Sequence, residues 1–132
     1  MSHELTALAL AGLLQCVQFL LVAIPANRQL GPKITMGTRD DGPLEAKVSP
    51  QLARLSRALD NHFDALILFA IAVLVTVLQD KQTLLSAICA WVYLGARILY
   101  IPAYYYGWVP GRSRVWATGW MATVFMLGAA LL

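Results

Sequence analysis

Apolar residues gather into four long runs along the chain, separated by three polar stretches. The first run, Leu5 to Ile24, is interrupted only by Thr6, Gln15 and Gln18, and as a helix it spans about 30 Å, the thickness of a bilayer's hydrocarbon core. Pro25, followed by Ala26-Asn27-Arg28, predicts its end, because proline breaks the hydrogen-bond ladder; the first helix is expected over about 5–25. Asn27 to Ser49 is the only long polar connection. Its Gly31-Pro32, Gly37 and Asp40-Asp41-Gly42-Pro43 predict an irregular loop. Ser49-Pro50 then predicts a helix start, with serine as cap and proline where a missing N–H costs nothing, and the second helix is expected over about 50–78. Gln79 to Gln82 is so short a link that the second and third helices must be antiparallel neighbours. The third helix, about 83–106, carries Arg97 near its middle and Pro102 late, where a bend is expected. Gly107 to Gly111 breaks the pattern, Arg112-Ser113-Arg114 follows, and a fourth helix is expected over about 115–132.

Two of these runs are not uniformly apolar. At about 100° per residue, Arg54, Arg57, Asn61 and Asp64 share one side of the second helix, and Tyr93, Arg97, Tyr100 and Tyr104 share one side of the third. A charged group at membrane depth costs roughly 2.5–3.5 kcal/mol, so such a stripe must face a bundle interior, a partner or a cavity. Closing the hairpin about Asp80 and Lys81 brings Asp64 level with Arg97, Asn61 with Tyr100, and Arg57 with Tyr104. The simplest reading is a structural Asp64–Arg97 ion pair, with Asn61 and the tyrosines as hydrogen-bonding glue between helices. One pair would serve that purpose, however, and the surplus of polar residues in register predicts a hydrophilic pocket for a polar ligand, open toward the cytoplasmic side. Arg57 and Arg97 offer planar forks to carboxylates, Asn61 a donor and an acceptor, and Asp64 an acceptor for an ammonium group. A small zwitterionic peptide satisfies that set.

Composition turns the runs into membrane spans. Of 132 residues, 59% are hydrophobic and 13% charged, against an apolar share of about 45–50% in soluble domains. The expected architecture is an all-α integral membrane protein, a single domain over 1–132 built as a bundle of four transmembrane helices, with no length left for a soluble module. The net charge of +3 does not indicate nucleic acid, because the basic residues flank apolar runs. Arg28, Lys33, Arg39, Lys47, Arg54, Arg57, Arg112 and Arg114 lie on one side and Lys81 alone on the other, which predicts cytoplasmic basic loops and both termini outside, in the inner membrane if the chain is bacterial. Met1 to Glu4 lacks the basic region of a secretory signal, so the first run is kept as a helix. No internal repeat supports a repeat-built transporter. Cys16 and Cys89 are expected as buried packing thiols. His3, at a mobile terminus, and His62, off the polar stripe, make no metal set. Trp108, Trp116 and Trp120 are expected as interfacial or packing aromatics, Gly12, Gly95, Gly119 and Gly128 as sites of close helix contact, and Asp40, Asp41 and Glu45 as solvated loop acids.

The segments Arg57-Ala58-x-x-Asn61-x-x-Asp64 and Ala96-Arg97-x-x-Tyr100-x-x-x-Tyr104 resemble the MAPEG superfamily, the membrane-associated proteins of eicosanoid and glutathione metabolism. The likeness covers essentially the whole chain and is closest to small bacterial members, in which a segment like Gly37-Thr38-Arg39-Asp40 precedes the second helix. It implies a homotrimer with glutathione, as co-substrate and with no metal, bound between subunits by Arg54, Arg57, Asn61, Asp64, Arg97, Tyr100 and Tyr104. It also implies an arginine beside the glutathione sulfur, with Arg112 and Arg114 both open as candidates, to favour the nucleophilic thiolate. Asp64 stands where the family more usually has glutamate. The implied function is a membrane-embedded glutathione-dependent transferase or peroxidase acting on a lipophilic electrophile or hydroperoxide that arrives from the lipid. Two other readings fit the same residues: a small proton-coupled exporter working through Asp64, and a non-catalytic protein that binds lipid or another ligand.

Overall fold

A computed structural model describes residues 2–37, 42–43 and 46–132. Among them the chain is helical: α1 (His3–Leu30), a single turn α2 (Pro32–Thr35), α3 (Pro50–Leu78), α4 (Leu84–Tyr105) and α5 (Gly111–Leu131). Local sequence explains most of these limits. The Ser2 side chain accepts from the Leu5 N–H at the start of α1, and Ser49 does the same for Leu52 at the start of α3, with Pro50 in the first turn. Thr83 and Ser86 form a reciprocal capping box at the start of α4. The expected stop at Pro25 is overturned, since α1 runs through it to Leu30 and ends where Gly31 takes φ 85°. Proline removes one ladder bond, and the helix is long enough to carry that loss. The Gly37-Thr38-Arg39-Asp40 resemblance and the loop acids Asp40, Asp41 and Glu45 fall wholly or partly outside the described residues.

Helices α1, α3 and α4 are long and apolar enough to cross a membrane. Helix α5 is of comparable length but carries Arg112, Ser113 and Arg114 in its first turn and is less apolar than the other three. The core is built from small residues and a few large ones: Ala7 and Ala11 of α1, Phe69, Ala72 and Val73 of α3, Ala90 and Tyr93 of α4, and Ala122 and Met126 of α5. Small side chains let helix backbones approach closely, which is how helices associate in lipid. Phe69 and Tyr93 stack with their rings 3.9 Å apart and 11° from parallel, joining α3 to α4. Large apolar side chains such as Leu13, Phe19, Leu78, Leu84 and Phe125 instead line the outer surface, as a lipid-facing bundle requires.

Two expectations about small residues need correction. Of the four glycines assigned to close helix contacts, only Gly119 makes one: a methyl group there would lie 3.5 Å from Ala96 Cβ and 3.7 Å from the Tyr93 ring, whereas at Gly12, Gly95 and Gly128 it would meet nothing within 4 Å. Of the two cysteines, Cys89 is buried but Cys16 is on the exposed face of α1. His3 is also not at a loose end, since it lies in the first turn of α1 and its Nδ1 accepts from Trp91 Nε1 at 3.1 Å.

Candidate functional site

The polar side of α3 opens onto two adjoining clefts walled by α4 and α5. The outer cleft, about 260 Å³, is lined by Arg57, Asn61, Tyr100, Tyr104, Arg112, Ser113 and Trp116. The inner cleft, about 250 Å³, is lined by Asn61, Asp64, Tyr93, Arg97, Gly119 and Thr123, with Ala65, Leu68, Trp116 and Trp120 as its apolar wall. Asn61 and Trp116 belong to both, so the two form one groove. The helical repeat puts Arg57, Asn61 and Asp64 along one wall at successive turns, while Gly119 marks where α5 packs against Ala96 of α4.

Arg97 is the pivot of the inner cleft, and only 2% of it is exposed. Its Nη1 donates to Asn61 Oδ1 at 3.0 Å, its Nε donates to His62 Nδ1 at 3.3 Å, and its guanidinium lies 4.4 Å from the centre of the Tyr100 ring. The side chain therefore extends one turn toward the end of α4, and this changes the expected pairing. Arg97 meets Asn61 where Asp64 was expected, so the Asp64–Arg97 ion pair is not the arrangement adopted. Asp64 itself is exposed at the mouth of the inner cleft. Arg97 Nη2 and the hydroxyl of Tyr93 are buried and have no hydrogen-bond partner among the described residues. A buried cation with an open donor, beside a second unpartnered polar group, is an unusual expense in a membrane protein. Both groups suit an acceptor with several lone pairs, such as a carboxylate.

The outer cleft holds the other arginines. Arg57 Nε donates to the Tyr104 hydroxyl at 3.2 Å, matching the depth expected from the hairpin, and Tyr104 packs edge-on to Tyr100. The Arg112 guanidinium lies 4.8 Å from the centre of the Tyr104 ring, a cation–π contact that holds a positive charge at the cleft wall. Of the two arginines left open by the sequence, Arg112 lines the groove and Arg114 does not, being exposed on α5. Arg54 lies apart from both clefts: its Nη1 donates to the Tyr105 carbonyl at 3.3 Å, at the C-terminal end of α4.

The residues that shape the groove beyond the two polar stripes include two tryptophans and a histidine. Trp116 and Trp120, read as packing aromatics, stack on each other with centroids 6.1 Å apart and form the apolar wall. Their signal was present, because Arg112, Trp116 and Trp120 recur every four residues and so share a face. His62, set aside for lying off the stripe, is fully buried and holds Arg97. Its other partner is the backbone carbonyl of Ala11, which no residue pattern could announce.

Comparison with known proteins supplies the class. No curated protein and no solved structure gave a significant match. The model of the MAPEG family, however, matches residues 7–132, nearly the full length, including every residue of both clefts. The helical bundle, its membrane-crossing helices and this match lead to one conclusion: the chain is an integral membrane protein and belongs to the MAPEG family.

Proposed function

We propose that the groove binds glutathione and activates its thiol for attack on a lipophilic electrophile or hydroperoxide. The observation that carries this reading is the pair of buried, unpartnered groups, Arg97 Nη2 and Tyr93 Oη, in a cleft that is otherwise ready for a charged guest. A peptide with two carboxylates, one ammonium and a thiol matches the chemistry on the walls. Arg97 and Arg57 take carboxylates, Asp64 takes the ammonium, and Asn61, Tyr100 and Tyr104 bond the amide groups between them. Arg112 is the group assigned to the sulfur, where a fixed positive charge favours thiolate over thiol. The thiolate sulfur then forms a bond to an electrophilic carbon as the leaving group departs, with the stacked tryptophans offering the apolar partner a surface. Arg54 supports the end of α4 from outside the cleft.

The assembly belongs to the same proposal. Asp64 and Arg57 are exposed on the single chain, yet Asp64 lies fourteen residues from the end of α3 at Leu78, about 21 Å along the helix. A carboxylate at that depth does not face lipid cheaply. A homotrimer of these chains, each neighbour closing the open side of the groove, removes that cost, and the cytoplasmic position of the basic loops brings glutathione from water.

The test is the ultraviolet absorbance of a thiolate on adding glutathione to the detergent-solubilised protein. Wild type is expected to show it, Arg112→Ala to lose it, and Arg114→Ala to keep it. Absence of the signal from a stable wild-type protein would overturn the proposal.

A further inference from the structure

We infer that His62 is a positioning residue, which holds Arg97 so that its free edge is presented to the ligand; this rests on the reading of the groove as an anion site. The ring sits between two elements with nothing else polar to satisfy it. Its Nε2 is 3.1 Å from the carbonyl oxygen of Ala11 on α1, and its Nδ1 is 3.3 Å from Arg97 Nε on α4. A carbonyl oxygen only accepts and an arginine N–H only donates, so the hydrogen bonds dictate one form: neutral imidazole with its proton on Nε2. In the other tautomer, or in the imidazolium, two N–H groups would confront each other at Nδ1.

The consequence lies at Arg97. A guanidinium has five N–H donors in a rigid plane. Clamping Nε from one side and Nη1 through Asn61 fixes that plane over Tyr100 and leaves Nη2 buried without a partner, on a side chain that lines the inner cleft. A long arginine side chain would otherwise sample several rotamers, and ordering it only when ligand arrives would weaken binding. The chain Ala11 carbonyl, His62, Arg97, Asn61 thus ties α1, which contributes no lining residue to either cleft, to the geometry of the site. His62 touches no ligand; it acts through Arg97.

Two substitutions separate this role from a simple bolt between helices. His62→Asn keeps an acceptor near the Nδ1 position, for Arg97, and gives up the bond to Ala11. His62→Gln keeps a donor near the Nε2 position, for Ala11, and gives up the acceptor for Arg97. If His62 positions Arg97, His62→Asn binds glutathione within about threefold of wild type and His62→Gln binds at least about tenfold more weakly, the usual loss for one hydrogen bond to a charged group. Any other ranking of the two overturns the inference. A ligand-free readout keeps it distinct from the glutathione proposal: nitrogen-15 NMR of histidine- and arginine-labelled wild type should give an unprotonated Nδ1 and a slowly exchanging Arg97 Nε–H. A protonated Nδ1 refutes the positioning role whatever glutathione does. Failure of wild type to bind glutathione, with those resonances present, refutes only the choice of ligand.

Discussion

Arg57, Arg97 and Arg112 each lie against a tyrosine ring or hydroxyl, and these contacts set three cations along one groove in which Asp64, at the mouth, is the only carboxylate among the described residues. Aromatic faces tolerate a guanidinium while leaving its N–H edge free, which is what an anion site needs. The hydroxyl of Tyr104 is the part of this arrangement that can be removed most cleanly. Tyr104→Phe keeps the ring under Arg112 and deletes the acceptor for Arg57, so glutathione affinity is expected to fall by roughly three- to tenfold, in line with a hydrogen bond worth about 0.5–1.5 kcal/mol. Titration calorimetry on the purified variant measures it. Arg97→Lys tests the planar fork, because an ammonium cannot reach Asn61 and His62 and still offer an edge to the ligand. It is expected to weaken binding at least tenfold, consistent with about 1.5–3 kcal/mol for a bond to a charged group.

At the scale of elements, the groove depends on how α3, α4 and α5 end and approach. The turn after α4 brings Gly107 to φ 68°, and a methyl group there would lie 3.4 Å from Arg54 Nη1. Gly107→Ala is therefore expected to destabilise the protein by about 1–2 kcal/mol, the cost of a left-handed alanine, read as a lower melting temperature in detergent. Gly119 behaves differently. Its helical backbone and the 3.5 Å distance to Ala96 Cβ leave space for one methyl group, so Gly119→Ala should fold and bind normally, whereas Gly119→Leu would push α5 from α4, fill the inner cleft and abolish glutathione binding. At the opposite end of the bundle, Lys81 Nζ donates to the Ala130 carbonyl at 3.0 Å, placing a cation on the C-terminal turn of α5, where the helix dipole favours it. Lys81 thus has a structural use.

For the whole molecule, the binding proposal predicts a link between ligand and stability. A ligand that binds only the folded protein at a hundred times its dissociation constant adds about 2.7 kcal/mol, so glutathione should raise the melting temperature of wild type. In Arg97→Met a buried cation is removed while His62 and Asn61 lose a donor, effects of opposite sign and each about 1–3 kcal/mol. The ligand-free melting temperature is expected to move little, and the glutathione-induced rise to vanish. A stability change without loss of that rise would count against Arg97 as a ligand contact. The proposed assembly predicts a mass of three chains by native mass spectrometry in detergent; a monomer would leave Asp64 facing lipid and would remove the reason for its exposure.

Periodicity and cap residues together revealed the long helices, the helix start at Ser49 and Pro50, and the polar faces of α3 and α4, because apolar spacing and cap chemistry are local properties of the chain. Periodicity also brought Arg57 level with Tyr104, since a short link leaves an antiparallel hairpin little freedom of register. Local signals failed where packing from elsewhere decided the outcome. Arg97 turns toward Asn61, where Asp64 was expected, and Arg112 lines the groove while Arg114 faces out. His62 is the clearest instance, for its role arises from a backbone carbonyl fifty-one residues away, and a backbone carbonyl is the same in every residue: only the folded chain decides which one a side chain meets.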